Sequence, residues 1–144
     1  MDDRYHLSRF VAAQRGIFER ALAELQAGSK RSHWMWFLFP QIAGLGSSET
    51  AKTFALSGIA EAAAYLDHPV LGPRLEAATD AMLSHAGNLS AEAILGGIDA
   101  LKFRSSMTLF ERAAKDDATR RFATALDAFY DGERDERTLT LLGL

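Results

Sequence analysis

Residues 99–115 have the sequence DALKFRSSMTLFERAAK, and this stretch predicts a long α-helix. Phe103, Met107, Phe110 and Ala114 follow one another at spacings of four, three and four residues, which places them on one face of a helix. An apolar stripe of this kind is normally buried against other elements of the fold. The stretch therefore predicts a helix that packs on a hydrophobic core.

The remaining sequence is also helical in character, and no segment shows the sustained alternation of a half-buried strand. Gly28, Pro40, Gly87 and Gly132 are typical of helix ends. We expect further helices over residues 7–27 (with a break near Gly16), 34–39, after Ser48, 59–66, 69–85, 118–131 (capped by Asp117) and 136–142. Residues 91–95 are expected to form a short turn capped by Ser90. The sequence thus predicts an all-α fold, a compact single-domain orthogonal bundle of six to eight helices spanning residues 1–144.

The composition excludes several classes of protein. The chain has 144 residues, 48% of them hydrophobic and 24% charged, which argues against disorder. Its net charge of −3 argues against binding nucleic acid through a basic surface, and the absence of cysteine excludes disulfide scaffolds and thiol catalysis. The charged N-terminus and the lack of a long apolar segment favour a cytoplasmic protein that does not insert into membranes. The composition permits a homo-oligomer but does not determine one.

Three polar residues lie beside the apolar stripe of the predicted helix. At 100° per residue, Asp99, Lys102 and Ser106 form a strip between the stripe and two further apolar residues, Ile98 and Leu109. In one interpretation the strip is structural, with an ion pair between Asp99 and Lys102 and a serine hydroxyl bonded to the backbone. In the other it is a catalytic or ligand-binding trio, since a lysine in a low-dielectric cleft is costly without a partner or a purpose.

A second candidate region is the connection 30–48, which links two predicted helical parts of the chain. Lys30, Arg31 and His33 come directly before an aromatic run that comprises Trp34, Trp36, Phe37 and Phe39. Cations beside aromatic rings suit a ligand with a phosphate and a stacked ring. The same composition suits a loop whose aromatic side chains fill the core while its cations remain in solvent. We favour core filling for most of the aromatic residues.

Weaker signals come from residues 44–48 and from Gln14. The sequence GLGSS over 44–48 precedes a predicted helix, so Ser47 or Ser48 is either an ordinary helix cap or a donor to an anion near a helix N-terminus. Gln14 lies on an apolar helix face, where its amide is expected to tie down a neighbouring loop or to contact a ligand. The four histidines form neither an HxxxH nor an HExxH pattern, and we expect no metal and no cofactor.

Several uncommon motifs lie along the chain: KRSHWMWF (30–37), FPQ (39–41), GLG (44–46), AYL (64–66) before HPVLG (68–72), and Asp99 with Lys102 ahead of SSMTLF (105–110). Through these motifs the sequence resembles one family, the bacterial domain-of-unknown-function-1810 (DUF1810) family. The resemblance extends from Leu7 to the final leucines, and it implies a mainly α-helical domain without an established activity or catalytic residue. Some members carry the label calpastatin, which implies a largely disordered protease inhibitor, and the apolar composition of this chain contradicts that label.

Our leading hypothesis is that the protein binds a small anionic metabolite, such as a nucleotide or a sugar phosphate. The expected cleft lies between the connection 30–48 and the helix that starts at Asp99. In this hypothesis the ligand contacts come from Gln14, Lys30, Arg31, His33, Trp34, Trp36, Ser47, Ser48, Lys102 and Ser106.

Two alternatives remain open from the sequence. One is a hydrolase that acts on a nucleotide-derived substrate, with His33 as the general acid or base and Asp99 and Lys102 as its catalytic partners. The other is a protein-interaction module that exposes the aromatic residues of segment 34–39. The hydrolase requires His33 and Lys102 to face one another across an open cleft, whereas the interaction module requires a contiguous exposed aromatic patch.

Overall fold

The helices are short and numerous. The computed structural model describes residues 3–115 and 120–144, which form ten α-helices and no strand. An isolated bridge pairs Ile42 with Leu56. The helices are α1 (Ser8–Gln14), α2 (Phe18–Gln26), α3 (Met35–Leu38), α4 (Glu49–Thr53), α5 (Ile59–Asp67), α6 (Leu71–Leu83), α7 (Ala91–Leu95), α8 (Gly97–Ala113), α9 (Arg121–Tyr130) and α10 (Glu136–Leu141).

The all-α prediction is confirmed, but the described residues contain more helices than the six to eight expected. Gly16 has a φ of +75° and separates α1 from α2, so the region 7–27 is two helices. Short segments such as α3 and α7 are helices in their own right, with four and five residues. The predicted cap at Asp117 and the predicted helix start at Ala118 lie outside the described residues.

Helix α8 lies at the centre of the fold and packs against α5, α7, α9 and α10. Three residues of its predicted stripe, Phe103, Met107 and Phe110, have no exposed surface. The fourth, Ala114, follows the end of the helix and is half-buried. The Phe103 ring meets the Phe39 ring edge to face at 4.9 Å between centroids, and the Phe110 ring packs on Tyr65 at 5.5 Å. Burial of rings of this size is a main source of stability for the fold, and it fixes the position of α8.

Arg9 of α1 attaches the N-terminal part of the chain to the segment between α4 and α5. Its guanidinium donates to the carbonyl oxygens of Thr53 and Ala55 at 2.8 and 2.9 Å and pairs with Glu61 at 3.0 Å. Two backbone hydrogen bonds then join this segment to the connection 30–48, from Ala43 N–H to the Leu56 oxygen and from Leu56 N–H to the Gln41 oxygen. The end of the connection is thereby held against the residues that follow α4.

Among the described residues, no helix combines the length and the apolar character needed to cross a membrane.

Candidate functional site

The connection 30–48 docks on α8 through an ion pair. The ammonium of Lys30 lies 2.9 Å from Asp99 Oδ2 and donates to the Ser32 carbonyl oxygen at 2.7 Å. The Lys30 backbone N–H donates to the carbonyl oxygen of Ile94, at the end of α7, at 2.8 Å. The Lys30 side chain is only 9% exposed, so these contacts fix it in place rather than leave it in solvent.

Asp99 is shared between two lysines. Lys102 Nζ lies 3.4 Å from Asp99 Oδ1, one helical turn away, and 3.5 Å from the centroid of the Trp36 ring. Lys30 occupies the other carboxylate oxygen. The structure therefore brings together three residues that the sequence singled out on two distant segments, Lys30, Asp99 and Lys102, and it places Trp36 beside them.

Glu24 of α2 holds the beginning of the connection. Its carboxylate accepts hydrogen bonds from the backbone N–H groups of Arg31 and Ser32, from the Ser32 hydroxyl, and from the indole N–H of Trp34, all at 2.7–3.1 Å. Burial alone would raise the pKa of Glu24, but these hydrogen bonds outweigh burial and lower its pKa from 4.5 to about 2. Glu24 thus remains ionised and orders the segment that carries Lys30 and Trp34.

A hollow of about 310 Å³ lies between the connection and α8, and we call it the outer cavity. Lys102 and Arg137 supply positive charge to its wall, while Ile98 and Leu101 form an apolar rim and are 74% and 63% exposed. Its lining residues are Trp36, Gln41, Leu45, Gly46, Ile98, Leu101, Lys102, Ser105, Asp135 and Arg137.

The charges around the outer cavity do not cancel. Arg137 is exposed and makes no hydrogen bond or ion pair with any described residue. Asp135 caps α10, and its Oδ2 accepts from the N–H and the hydroxyl of Thr138 at 3.0 and 2.6 Å. The lining of the outer cavity itself has two cations, Lys102 and Arg137, and one carboxylate, Asp135. The lining therefore carries one positive charge in excess, in a chain whose net charge is −3.

A smaller and more enclosed hollow of about 130 Å³ adjoins the outer one, and we call it the inner cavity. The two cavities share Trp36, Gln41, Leu45 and Gly46 in their walls. A Cβ atom added to Gly46 would come within 2.7 Å of Ala51 Cβ, so glycine lets the loop pass this close to α4. The inner cavity is lined by Trp36, Gln41, Ile42, Ala43, Gly44, Leu45, Gly46, Ala51, Lys52, Phe54 and Ala55.

Gln14 has a structural position. Its side chain is buried, and its amide donates to the Phe37 carbonyl oxygen at 2.7 Å and to the Tyr65 hydroxyl at 3.1 Å. Arg74 donates to the Gln14 side-chain oxygen at 3.3 Å. These contacts tie α3 to α1, as one of the two interpretations of Gln14 predicts, and Gln14 lines neither cavity.

The aromatic run divides into buried and half-buried members. Trp34 and Phe39 have no exposed surface, whereas Trp36 and Phe37 are half-buried. The four rings therefore do not form a contiguous exposed patch. Trp36 is the member of the run that lines both cavities.

The other candidates lie away from the two cavities. Arg31 and His33 are exposed, and His33 makes no hydrogen bond or ion pair with a described residue. Ser48 caps α4, its hydroxyl accepting from Ala51 N–H at 3.1 Å, and Ser47 is exposed. Ser106 is fully buried, and its hydroxyl has no partner among the described residues. Neither cavity has any of these five residues in its lining.

Several lining residues were not identified from the sequence. Leu101 and Ser105 were not identified, although they follow the spacing of the helix face that carries Ile98 and Lys102. This cavity-lining stripe was therefore present in the sequence beside the core stripe. Ser105 is only 6% exposed. Arg137 carried no sequence signal, because only the packing of α10 against α8 brings it to the cavity.

Metal-binding geometry is absent from the described part of the chain, where no three His, Asp or Glu side chains are grouped so as to hold an ion.

The fold and these cavities define a helical protein with a two-part hollow on one side of a long central helix. The chain matches the model of the family described as "Protein of unknown function (DUF1810)" over residues 4–142, so it belongs to the DUF1810 family. It is also similar to the crystal structure of the conserved hypothetical protein Rv1873 from Mycobacterium tuberculosis. The identity is 47%, 96% of each chain is covered, and the TM-score is 0.90. Among curated proteins no match was found.

Proposed function

We propose that the protein binds a small anionic metabolite, of the nucleotide or sugar-phosphate class, in the outer cavity. The observation that carries this proposal is the guanidinium of Arg137, which pairs with none of the described residues and shares the cavity wall with Lys102 and Trp36. A guanidinium offers several donors in a fixed plane, a geometry that suits phosphate and carboxylate oxygens. Ligand pockets commonly combine such polar groups with an apolar wall in a volume of about 300 Å³ or more.

The residues take different roles in this proposal. Lys102 and Arg137 contact the anion, while Trp36 and the apolar rim contact the rest of the ligand. Lys30 acts indirectly, because its ion pair with Asp99 holds the connection on α8. Ser106, Gln14 and Trp34 maintain the surrounding core and do not contact the ligand.

The hydrolase alternative receives no support from the cavities. It requires His33 to share an open cleft with Asp99 and Lys102, yet His33 is exposed and lines neither cavity. The proposal therefore assigns binding and not catalysis.

The test is a binding measurement with nucleoside phosphates and sugar phosphates, by thermal shift and isothermal titration calorimetry. We expect at least one compound to raise the melting temperature of the wild-type protein, because a ligand that binds only the folded state stabilises it. Arg137→Gln should weaken that binding by about tenfold or more, since a charge-assisted contact is lost. Arg20→Gln, an exposed site on α2, removes the same charge elsewhere and should bind as wild type does.

Two results would refute the proposal. The first is a panel in which no compound changes the melting temperature of the wild-type protein. The second is a bound compound whose affinity is the same in Arg137→Gln, in Arg20→Gln and in a Lys102→Ala variant shown to be folded.

A further inference from the structure

The inner cavity extends the proposed site. We propose that it receives a single six-membered ring of the ligand while the anionic group of the same ligand lies in the outer cavity. This inference rests on the proposed function: it keeps the anionic group of the ligand and specifies that the ligand carries one six-membered ring, as pyrimidine-type phosphates do and as aryl phosphates can imitate.

The size of the inner cavity sets the limit of one ring. Its volume is about 130 Å³. An engineered protein cavity of about 150 Å³ holds one benzene molecule. Two fused rings would exceed the available space unless α4 or the loop moved.

The walls of the inner cavity favour a ring over a charged group. Gln41 and Lys52 are the polar lining residues, and the others are glycines or apolar residues, which include Trp36, Ile42, Leu45, Phe54 and three alanines. The Phe54 ring packs against two further rings, Phe10 at 5.6 Å and Phe37 at 5.5 Å between centroids, so this wall is anchored in the core. The Gln41 carbonyl oxygen and the Ala43 N–H are already engaged with Leu56. A flat apolar group therefore gains contacts here without leaving these backbone groups unpaired.

The junction between the cavities determines which end of the ligand lies where. Trp36 lines both cavities, and the Lys102 ammonium lies 3.5 Å from its ring centroid. Two cations, Lys102 and Arg137, line the outer cavity, whereas the inner cavity has one, Lys52, in an otherwise mainly apolar lining. A ligand whose anionic group and single ring are joined by a short link would reach both cavities at this junction.

The experiment compares three probes by isothermal titration calorimetry at fixed ionic strength: inorganic phosphate, phenyl phosphate and 1-naphthyl phosphate. We expect phenyl phosphate to bind on the order of ten- to a hundredfold more tightly than inorganic phosphate, because its ring is removed from water. The second ring of naphthyl phosphate should abolish most of this gain.

A cavity-filling variant locates the ring. Ala43 is exposed and lines the inner cavity, so Ala43→Leu should reduce the affinity for phenyl phosphate to that for inorganic phosphate and leave inorganic phosphate unaffected. Ala93→Leu, an exposed site on α7, is the matched control and should bind both probes as wild type does. An independent measurement on the wild-type protein is a set of nuclear Overhauser contacts from the phenyl protons to the methyl groups of Ile42 and Ala51.

The outcomes separate the two proposals. If phenyl phosphate binds no more tightly than inorganic phosphate, with binding still dependent on Arg137, the single-ring inference is overturned and the proposed function stands. Naphthyl phosphate binding as tightly as phenyl phosphate, or phenyl contacts absent from Ile42 and Ala51, overturns the inference in the same way. If neither these probes nor the metabolite panel bind, the proposed function itself fails.

Discussion

Replacing Glu24 with glutamine removes the charge that orders the beginning of the connection 30–48, and we expect this change to destabilise the protein. The lowering of the Glu24 pKa from 4.5 to about 2 corresponds to at most about 3 kcal/mol of stabilisation at neutral pH. Because the side chain is partly exposed, solvent screening reduces the expected loss in Glu24→Gln to about 1–2 kcal/mol at pH 7.

The lowered pKa of Glu24 also predicts how the stability difference between wild type and Glu24→Gln changes with pH. A carboxyl group whose pKa is lowered by folding stabilises the protein fully above its unfolded pKa, and that stabilisation disappears as the pH falls through the folded value. For Glu24 the window runs from about pH 4.5 down to about pH 2. The stability difference between wild type and Glu24→Gln should therefore be largest near pH 7 and should narrow progressively below pH 4.5.

Urea denaturation followed by tryptophan fluorescence and circular dichroism measures this difference directly. The matched control is Glu19→Gln, because Glu19 is an exposed residue of the same helix and its replacement removes the same charge. The reasoning is refuted if Glu24→Gln costs no more than Glu19→Gln at pH 7. It is equally refuted if the cost stays constant as the pH is lowered.

Two further changes test the packing of the fold by the same denaturation measurement. Gly72→Ala should destabilise α6 by about 2 kcal/mol or more, because the new Cβ would clash with the carbonyl oxygen of Leu66. Gly97→Ala on α8 places its Cβ in open space and should be neutral or mildly stabilising. Equal effects of the two glycine changes would contradict this packing. Ser106→Ala should be neutral or stabilising by up to about 1 kcal/mol, because its buried hydroxyl lacks a partner among the described residues. Thr108→Val, by contrast, should reduce the free energy of unfolding by about 1–3 kcal/mol, because its hydroxyl donates to the Arg104 carbonyl oxygen and accepts from the Asp135 N–H. A large loss of stability in Ser106→Ala would contradict our account of Ser106.

The fold class followed from local patterns in the sequence, since helical spacing identifies core positions without knowledge of the tertiary structure. Phe103, Met107 and Phe110 are buried as their periodicity predicts, and Trp34 and Phe39 fill the core as expected of large apolar side chains. The number of helices was underestimated because very short helices produce few periodic repeats. Segments of four and five residues depend on tertiary contacts and caps more than on their own pattern.

The site was predictable only in its local part. The pairing of Asp99 with Lys102 within one helix follows from i, i+3 spacing. The contact of Lys30 with Asp99 and the position of Arg137 depend on how separate elements pack, which no local pattern encodes. Glu24 was overlooked for the same reason, because its hydrogen-bond donors come from another segment of the chain.

The sharing of Asp99 between Lys30 and Lys102 has a consequence for the entropic cost of the proposed anion binding. A flexible lysine side chain usually loses rotamer freedom when a ligand binds to it, and this entropic cost weakens the affinity. Here the ion pairs with Asp99 already restrict the ammonium groups of Lys30 and Lys102 in the folded protein, so this cost falls on folding and not on binding. The position of the Lys102 charge in the wall of the outer cavity is therefore set by the folded chain itself. Disorder in either the connection 30–48 or the start of α8 would remove this fixed position.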